Sequence, residues 1–165
     1  MSIAAIIFSG RPHSPDEPDL LRIEDALRAA RVVDVVVSRN EGRGELSSIV
    51  SALETLDQIE LHGLLLIPSG QKRISQSIVA ALLHRFWTSH AAIVAAEYDG
   101  KRGFPVVISE SLFGGLRRQP PGTSLKSFIE GQKSDTQLLA FDKQDNTPAQ
   151  LQAIVSPTFP PDDDA

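Results

Sequence analysis

Short loops in this sequence combine glycines with side chains that could hold an anionic ligand. The first is Ser9-Gly10-Arg11, which follows an apolar run and would place a guanidinium beside a glycine turn. Arginine is well suited to binding phosphate. The segment has neither the Gly-Lys-Ser/Thr of a P-loop nor the glycine pattern of a dinucleotide site. Two interpretations of Arg11 therefore remain: it contacts a phosphate, or it is a solvated loop arginine.

A second loop, residues 40–45, leads into a predicted helix whose first turn holds Ser47 and Ser48. Hydroxyls and free backbone N–H groups at a helix N-terminus can hold a ligand carbonyl or phosphate. In the alternative interpretation, one of the two serines forms an ordinary cap by bonding to the helix backbone.

A third loop, residues 100–105, places Lys101 and Arg102 between two glycines. This pattern favours a tight β-turn over an anion-binding loop.

Other kinds of catalytic site have little support. The chain has no cysteine, which excludes disulfides, thiolate metal sites and cysteine nucleophiles. Its four histidines, His13, His62, His84 and His90, lack metal-ligand spacing. No serine lies in a nucleophile-elbow sequence. The sequence thus predicts no metal site.

The spacing of apolar residues predicts alternating strands and helices. The predicted strands are Ile3–Phe8, Val32–Val37, Gly63–Ile67, Ala91–Ala96, Val106–Ile108 and Gln137–Phe141. The predicted helices run from Asp19 to Ala30, from Glu45 to Leu56 and over Ile74–Trp87, with short ones around Ser111–Leu116, Thr123–Gly131 and Pro148–Ile154. The early strands are apolar on both faces, so we expect an α/β fold whose mostly parallel sheet is covered on both sides.

Ligands in such sheets bind beyond the carboxyl ends of the strands. The loops expected to form the site are therefore Ser9–Pro18, Ser38–Glu45 and Pro68–Ser75.

Length and composition limit the class of protein. The 165 residues, 41% of them hydrophobic, predict one domain over residues 1–155, followed by a flexible, acidic, proline-rich tail over 156–165. The net charge of −5 argues against a nucleic-acid or anionic-membrane partner. No apolar run reaches the roughly 18 residues of a membrane span, and no signal peptide is visible. We expect a cytoplasmic protein.

The order of five segments along the chain is informative. They are Ala4–Gly10, Gly44–Ile49, Leu64–Gln71, Tyr98–Val106 and Asn146–Pro148. In these segments the chain resembles the molybdenum-cofactor nucleotidyltransferase family, with its MobA/MocA-like NTP transferase domain. Members of that family transfer a cytidylyl or guanylyl group from a nucleoside triphosphate to molybdopterin. The resemblance implies a Rossmann-like three-layer α/β/α sandwich of the nucleotide-diphospho-sugar transferase type. It also implies ligand contacts from Ser9, Gly10, Arg11, Ser47, Ser48, Gly70, Gln71, Arg102 and Gly103.

The chain departs from the family where phosphate and metal would bind. Residues 11–21 contain no lysine, although the family's first loop reaches one. The position of the central Mg²⁺-binding aspartate falls on Gly70, and the second metal position falls on Asn146. The histidine of the family's Arg-Gly-His-Pro segment is Phe104, and a strand and helix after Val37 are missing. Because nucleotidyl transfer depends on a metal and basic groups to neutralise charge, the sequence predicts a shortened, degenerate, catalytically impaired member.

Three hypotheses follow from this resemblance. The first is an impaired family member that binds a nucleotide, a pterin or a protein partner in molybdoenzyme maturation, with no certain cofactor. The second is an active enzyme using Mg²⁺ and a nucleoside triphosphate, with Asp99 or Asp145 on the metal and phosphate contacts from Arg11, Lys72, Arg73 and Arg102. The third is a homodimeric interaction module without a small ligand, paired through the sheet edge that the missing segment leaves exposed.

Overall fold

The computed structural model describes residues 2–8, 17–38, 44–71 and 74–141. The strands are β1 (Ile3–Phe8), β2 (Val35–Ser38), β3 (Gly63–Pro68), β4 (Ile93–Tyr98), β5 (Lys101–Ser109) and β6 (Thr136–Ala140). The α-helices are α1 (Glu17–Ala29), α2 (Glu45–Glu54), α3 (Gln76–Ser89), α4 (Phe113–Arg117) and α5 (Leu125–Glu130). The predicted helix at 148–154 and the predicted tail at 156–165 lie outside the described residues, so the predicted domain boundary stays a prediction.

One mixed sheet organises the fold. Its strand order is β2-β1-β3-β5-β4-β6. β1 pairs in parallel with β2 and β3, and β4 pairs in parallel with β6, while β5 is antiparallel to both of its neighbours. The predicted mostly parallel α/β sheet is confirmed.

The central strands are apolar on both faces because helices cover both sides of the sheet. On one side, Ile7, Leu65 and Val94 pack with α1 and α3. On the other side, Ile6, Leu66 and other alternate residues pack with α2, α4 and α5. This gives the three α/β/α layers.

The starts of β2 and β5 differ most from the prediction, each because of a local turn. β2 begins at Val35 and not at Val32, since Arg31 follows α1 in the left-handed region, with φ of 67°. β5 begins at Lys101, five residues before the predicted start at Val106. The reason is a two-residue turn at Asp99-Gly100, where both φ angles are positive, at 53° and 77°. Such a turn matches the twist of a hairpin, so residues 101–105 lie in a strand and not in the predicted loop.

None of the helices in the described ranges combines the length and the apolar character that a membrane crossing would need.

Candidate functional site

The carboxyl ends of three parallel strands meet at one edge of the sheet. Phe8, the last residue of β1, lies in register with Ser38 of β2 and with Pro68 of β3. The backbone N–H of Ser69 donates to the carbonyl of Phe8 over 2.7 Å, which fixes the turn after β3 beside the end of β1. This edge is where ligands bind in open α/β sheets. The predicted contacts Ser9, Gly10 and Arg11 lie outside the described residues.

The two serines of α2 have different environments. The hydroxyl of Ser48 is buried and donates to the carbonyl of Gly44 over 2.9 Å. The carbonyl of Ser48 accepts a 2.8 Å hydrogen bond from the hydroxyl of Ser38. Ser48 therefore ties α2 to the end of β2. Its hydroxyl donates to a helix carbonyl, whereas a capping side chain accepts a backbone N–H, and the N-cap position of α2 is Gly44. Ser47 is half-buried and lines a cleft on the outer side of α2.

The turn after β3 holds Gly70 and Gln71, two of the predicted contacts. Gly70 is exposed, and a Cβ built there would meet no atom within 4 Å. Gln71 is held in place by its neighbours: its side-chain amide donates to the carbonyl of Phe104 over 3.2 Å. Its own carbonyl accepts from the guanidinium of Arg22 on α1 over 3.4 Å. The turn therefore offers an open backbone position at Gly70 beside a fixed side chain at Gln71.

The β4–β5 hairpin supplies the remaining predicted contacts. The first residues of β5 lie at the same edge of the sheet as the end of β1. The ring of Phe104 packs edge-on against the ring of Phe8, with 5.5 Å between the ring centroids. Arg102 lies 3.6 Å from the carboxylate of Glu130 on α5, and its side chain is 23% exposed. A side chain at Gly103 would place its Cβ 3.0 Å from the ring of Tyr98, so this glycine allows the close approach of that ring. Arg102 is thus accessible at the strand-end edge, with a competing anion beside it.

Tyr98 completes this cluster and was not among the predicted site residues. Its hydroxyl donates to the carbonyl of Phe104 over 2.9 Å, so Gln71 and Tyr98 both donate to one carbonyl. Burial raises the pKa of Tyr98 to about 12, and its hydrogen bond with Gln71 opposes part of that rise. The contact depends on how a hairpin folds against a turn about thirty residues away, which spacing in the sequence does not reveal.

Tyr98 leads to a spectroscopic prediction, because it is the single tyrosine of the chain. The phenolate absorbance of the native protein should titrate near pH 12, and that of the unfolded protein near pH 10. A raised pKa in the folded state means that this contribution to stability is complete below pH 10 and is lost as the pH rises through 12. We expect Tyr98→Phe to unfold less steeply with pH in this window. A native titration at pH 10 would contradict the burial of the hydroxyl.

The described residues do not fit a magnesium or manganese site. No group of three or more acidic or histidine side chains is placed to hold a metal ion in the described ranges. Gly70 brings no carboxylate to the end of β3, and Asp99 occupies the hairpin turn with a positive φ. Asp145 and Asn146, the other sequence candidates for a metal ligand, lie outside the described residues, as do Lys72 and Arg73.

Comparisons with known proteins agree with this fold. A family model described as a MobA-like NTP transferase domain matches residues 3–137. The structure of Rv0371c from Mycobacterium tuberculosis H37Rv aligns with a TM-score of 0.67 and 18% identity, over 86% of this chain and 88% of that chain. Another structure of Rv0371c, in complex with manganese, aligns with a TM-score of 0.64 and 16% identity, over 86% and 88% of the two chains.

A structure of CMP:2-keto-3-deoxy-manno-octonic acid synthetase complexed with CTP aligns with a TM-score of 0.60 and 11% identity, over 93% of this chain and 95% of that chain. Comparison of the sequence with curated proteins gave no significant match. At these identities the structural alignments show the fold, and they confirm the predicted Rossmann-like architecture of nucleotide-diphospho-sugar transferases.

Proposed function

We propose, from the premise that this chain belongs to the MobA-like NTP transferase family, that it binds a nucleotide or a pterin without transferring a nucleotidyl group. The sequence resembles the molybdenum-cofactor nucleotidyltransferases. On that ground we include a role in molybdoenzyme maturation in the proposal.

One observation supports the proposed loss of nucleotidyl transfer. Gly70 stands where the family has its central metal-binding aspartate, and its surroundings are open. The neighbouring Gln71 is an amide whose side chain is bonded to the carbonyl of Phe104. An amide and a glycine give no negative charge to hold the Mg²⁺ that neutralises a triphosphate in this chemistry. The chain therefore keeps the family's strand-end edge without the carboxylate that the reaction needs at this position.

The retained polar groups support ligand binding at the same edge. Arg102 is a candidate phosphate contact, because it precedes Phe104 by two residues on β5 and its side chain is partly exposed. A guanidinium can hold a phosphate oxygen at such an edge. The hydrogen bonds of Gln71 to Phe104 and Arg22 keep the turn rigid, which lowers the conformational entropy lost on binding.

A test combines binding with turnover. Thermal-shift and calorimetric titrations with CTP, GTP, ATP, UTP and a reduced pterin, each with and without Mg²⁺, measure binding. A ligand at about 100 Kd should raise the free energy of unfolding by roughly 2.7 kcal/mol. Pyrophosphate release from each triphosphate should stay at background. Magnesium-dependent pyrophosphate release by the pure protein would establish the active-enzyme hypothesis, and no binding of any ligand would refute the proposed function.

Arg102 and Glu130 give a paired prediction for the same titrations. Arg102→Ala should weaken nucleotide binding about tenfold, which equals about 1.4 kcal/mol and is typical of a lost charged hydrogen bond. Glu130→Gln removes the carboxylate 3.6 Å from this guanidinium and should strengthen binding. The matched control is Arg28→Ala, since Arg28 pairs with Glu24 along the exposed face of α1. Equal losses for Arg28→Ala and Arg102→Ala would show a nonspecific charge effect.

One local contact argues against the homodimer hypothesis at the β2 edge. The carboxylate of Asp34 accepts a 2.8 Å hydrogen bond from the backbone N–H of Val35. An exposed charge that already bonds to an edge strand hinders the addition of another strand. β2 is also only four residues long. We therefore favour ligand binding over edge pairing.

A further inference from the structure

A cleft on the outer flank of the sheet is not explained by the proposed function. It lies between α2 and the segment that joins α4 to α5, and its volume is about 350 Å³. Its described lining residues fall within 44–51 and 116–124, so none of them belongs to a strand. The volume is within the range of small-molecule sites, which starts at roughly 300 Å³.

Three hydroxyl groups line this cleft. Ser47 and Ser51 are four residues apart on α2 and so share a helix face. Thr123 lies on the opposite wall. These three hydroxyls form no hydrogen bond with the described part of the chain, in contrast to Ser48 and Ser124, whose hydroxyls bond to backbone groups of their helices. These three hydroxyls can both donate to and accept from a ligand.

The other lining residues restrict the chemistry of a ligand. Val50, Leu116 and Pro120 add apolar surface between the hydroxyls. The carboxylate of Glu45 already accepts the backbone N–H of Leu125 over 3.2 Å, so it is satisfied by the protein. Arg117 is the one cation among the described lining residues, and its guanidinium pairs only loosely with the exposed Asp57, at 3.8 Å.

We propose that this cleft binds a small polyhydroxylated ring compound, of monosaccharide size, on which a single phosphate would face Arg117. Such a ring matches the lining because its hydroxyls donate and accept at the edge while its C–H face is apolar. The single guanidinium among the described lining residues suits one phosphate group. The described lining of the cleft does not include Gly70, Gln71 or Arg102, which the proposed function assigns to the nucleotide or pterin.

The test uses the full-length, ¹⁵N-labelled protein and a defined panel of probes at high millimolar concentration. The panel contains ribose, glucose and mannose, the monophosphates of each, and inorganic phosphate alone. We expect amide shifts at Val50, Ser51, Gly122 and Thr123 with at least one sugar, and tighter binding of its monophosphate. Inorganic phosphate alone should leave these amides unchanged. No shift with any sugar or sugar phosphate, or shifts confined to Ser69, Gln71 and Arg102, would overturn the proposal.

Variants separate the hydroxyl contacts from the charge. Ser51→Ala should weaken binding of the sugar severalfold, and the helix should remain intact because alanine is the best helix former. Arg117→Ala should remove the advantage of the phosphorylated sugar and leave the affinity of the plain sugar unchanged. Ser111→Ala is the control, because Ser111 is exposed on a turn outside the cleft and bonds to Ser109. An equal loss for Ser111→Ala and Ser51→Ala would refute the assigned contacts. A nucleotide titration that shifts only the strand-end amides tests the proposed function separately.

Discussion

Replacing Gly70 by aspartate should make nucleotide binding dependent on a divalent cation. Gly70 has an open environment, and its φ lies outside the left-handed region, so an aspartate fits without backbone strain. Its carboxylate would stand at the end of β3, where an oxygen ligand suits Mg²⁺ or Mn²⁺. We expect Mn²⁺ to tighten binding of the preferred nucleotide about tenfold in Gly70→Asp, which corresponds to about 1.4 kcal/mol. In the unmodified protein Mn²⁺ should have little effect.

Gly70→Asn is the matched control, because it adds a side chain of the same shape without the charge. Calorimetric titration of all three proteins, with and without Mn²⁺, gives the comparison. The expected result is a metal effect in the aspartate variant only. If the unmodified protein already shows a tenfold metal effect, another carboxylate of the chain supplies the ligand and the argument from Gly70 fails.

Leu66→Ala should cause the largest loss of stability. Leu66 is the middle of β3, has no exposed surface and packs between neighbouring strands and the helices on one side of the sheet. Truncation of a fully buried leucine leaves a cavity and costs roughly 3–5 kcal/mol. That loss is a large share of the roughly 5–15 kcal/mol by which a domain is stable.

Leu21→Ala provides the comparison, because 61% of Leu21 is exposed on α1. Its effect should stay within about 0.5 kcal/mol. Urea unfolding followed by the fluorescence of Trp87, the one tryptophan of the chain, measures both variants. Similar losses for the two leucines would be inconsistent with a buried centre at β3.

The central strands could be predicted because burial on both faces requires apolar residues throughout. The predicted strand Gly63–Ile67 differs from β3 only by the addition of Pro68. The helix predicted at Ile74–Trp87 begins and ends two residues before α3, although the sequence contains the signal for its start. Ser75 is the N-cap, and its hydroxyl accepts from the backbone N–H of Ile78. The reversal at Asp99-Gly100 is likewise a hairpin signal in the sequence, and it accounts for the early start of β5.

The site was predicted less fully, because its contacts join distant segments. The sequence places Ser47 and Ser48 in the first turn of a helix. It does not show that Ser48 bonds back to Gly44 while Ser47 faces residues about seventy positions later. The same holds for the carbonyl of Phe104, which receives hydrogen bonds from two separate elements. Periodicity identifies which elements form, and the packing of those elements determines which polar groups meet.

The antiparallel position of β5 also affects the order in which the sheet assembles. Tyr98 pairs with Lys101 across a two-residue turn, whereas Ala5 of β1 pairs with Val35 of β2. Closing a short loop costs less entropy, and hairpins form within about 1–10 microseconds. We expect the β4–β5 hairpin to form as an early unit that then joins β3. During synthesis, β1 can pair with β2 and β3 first. The other edge of β3 cannot pair fully with β5 until Ser109 has left the ribosome, because Gly63 of β3 pairs with Ser109.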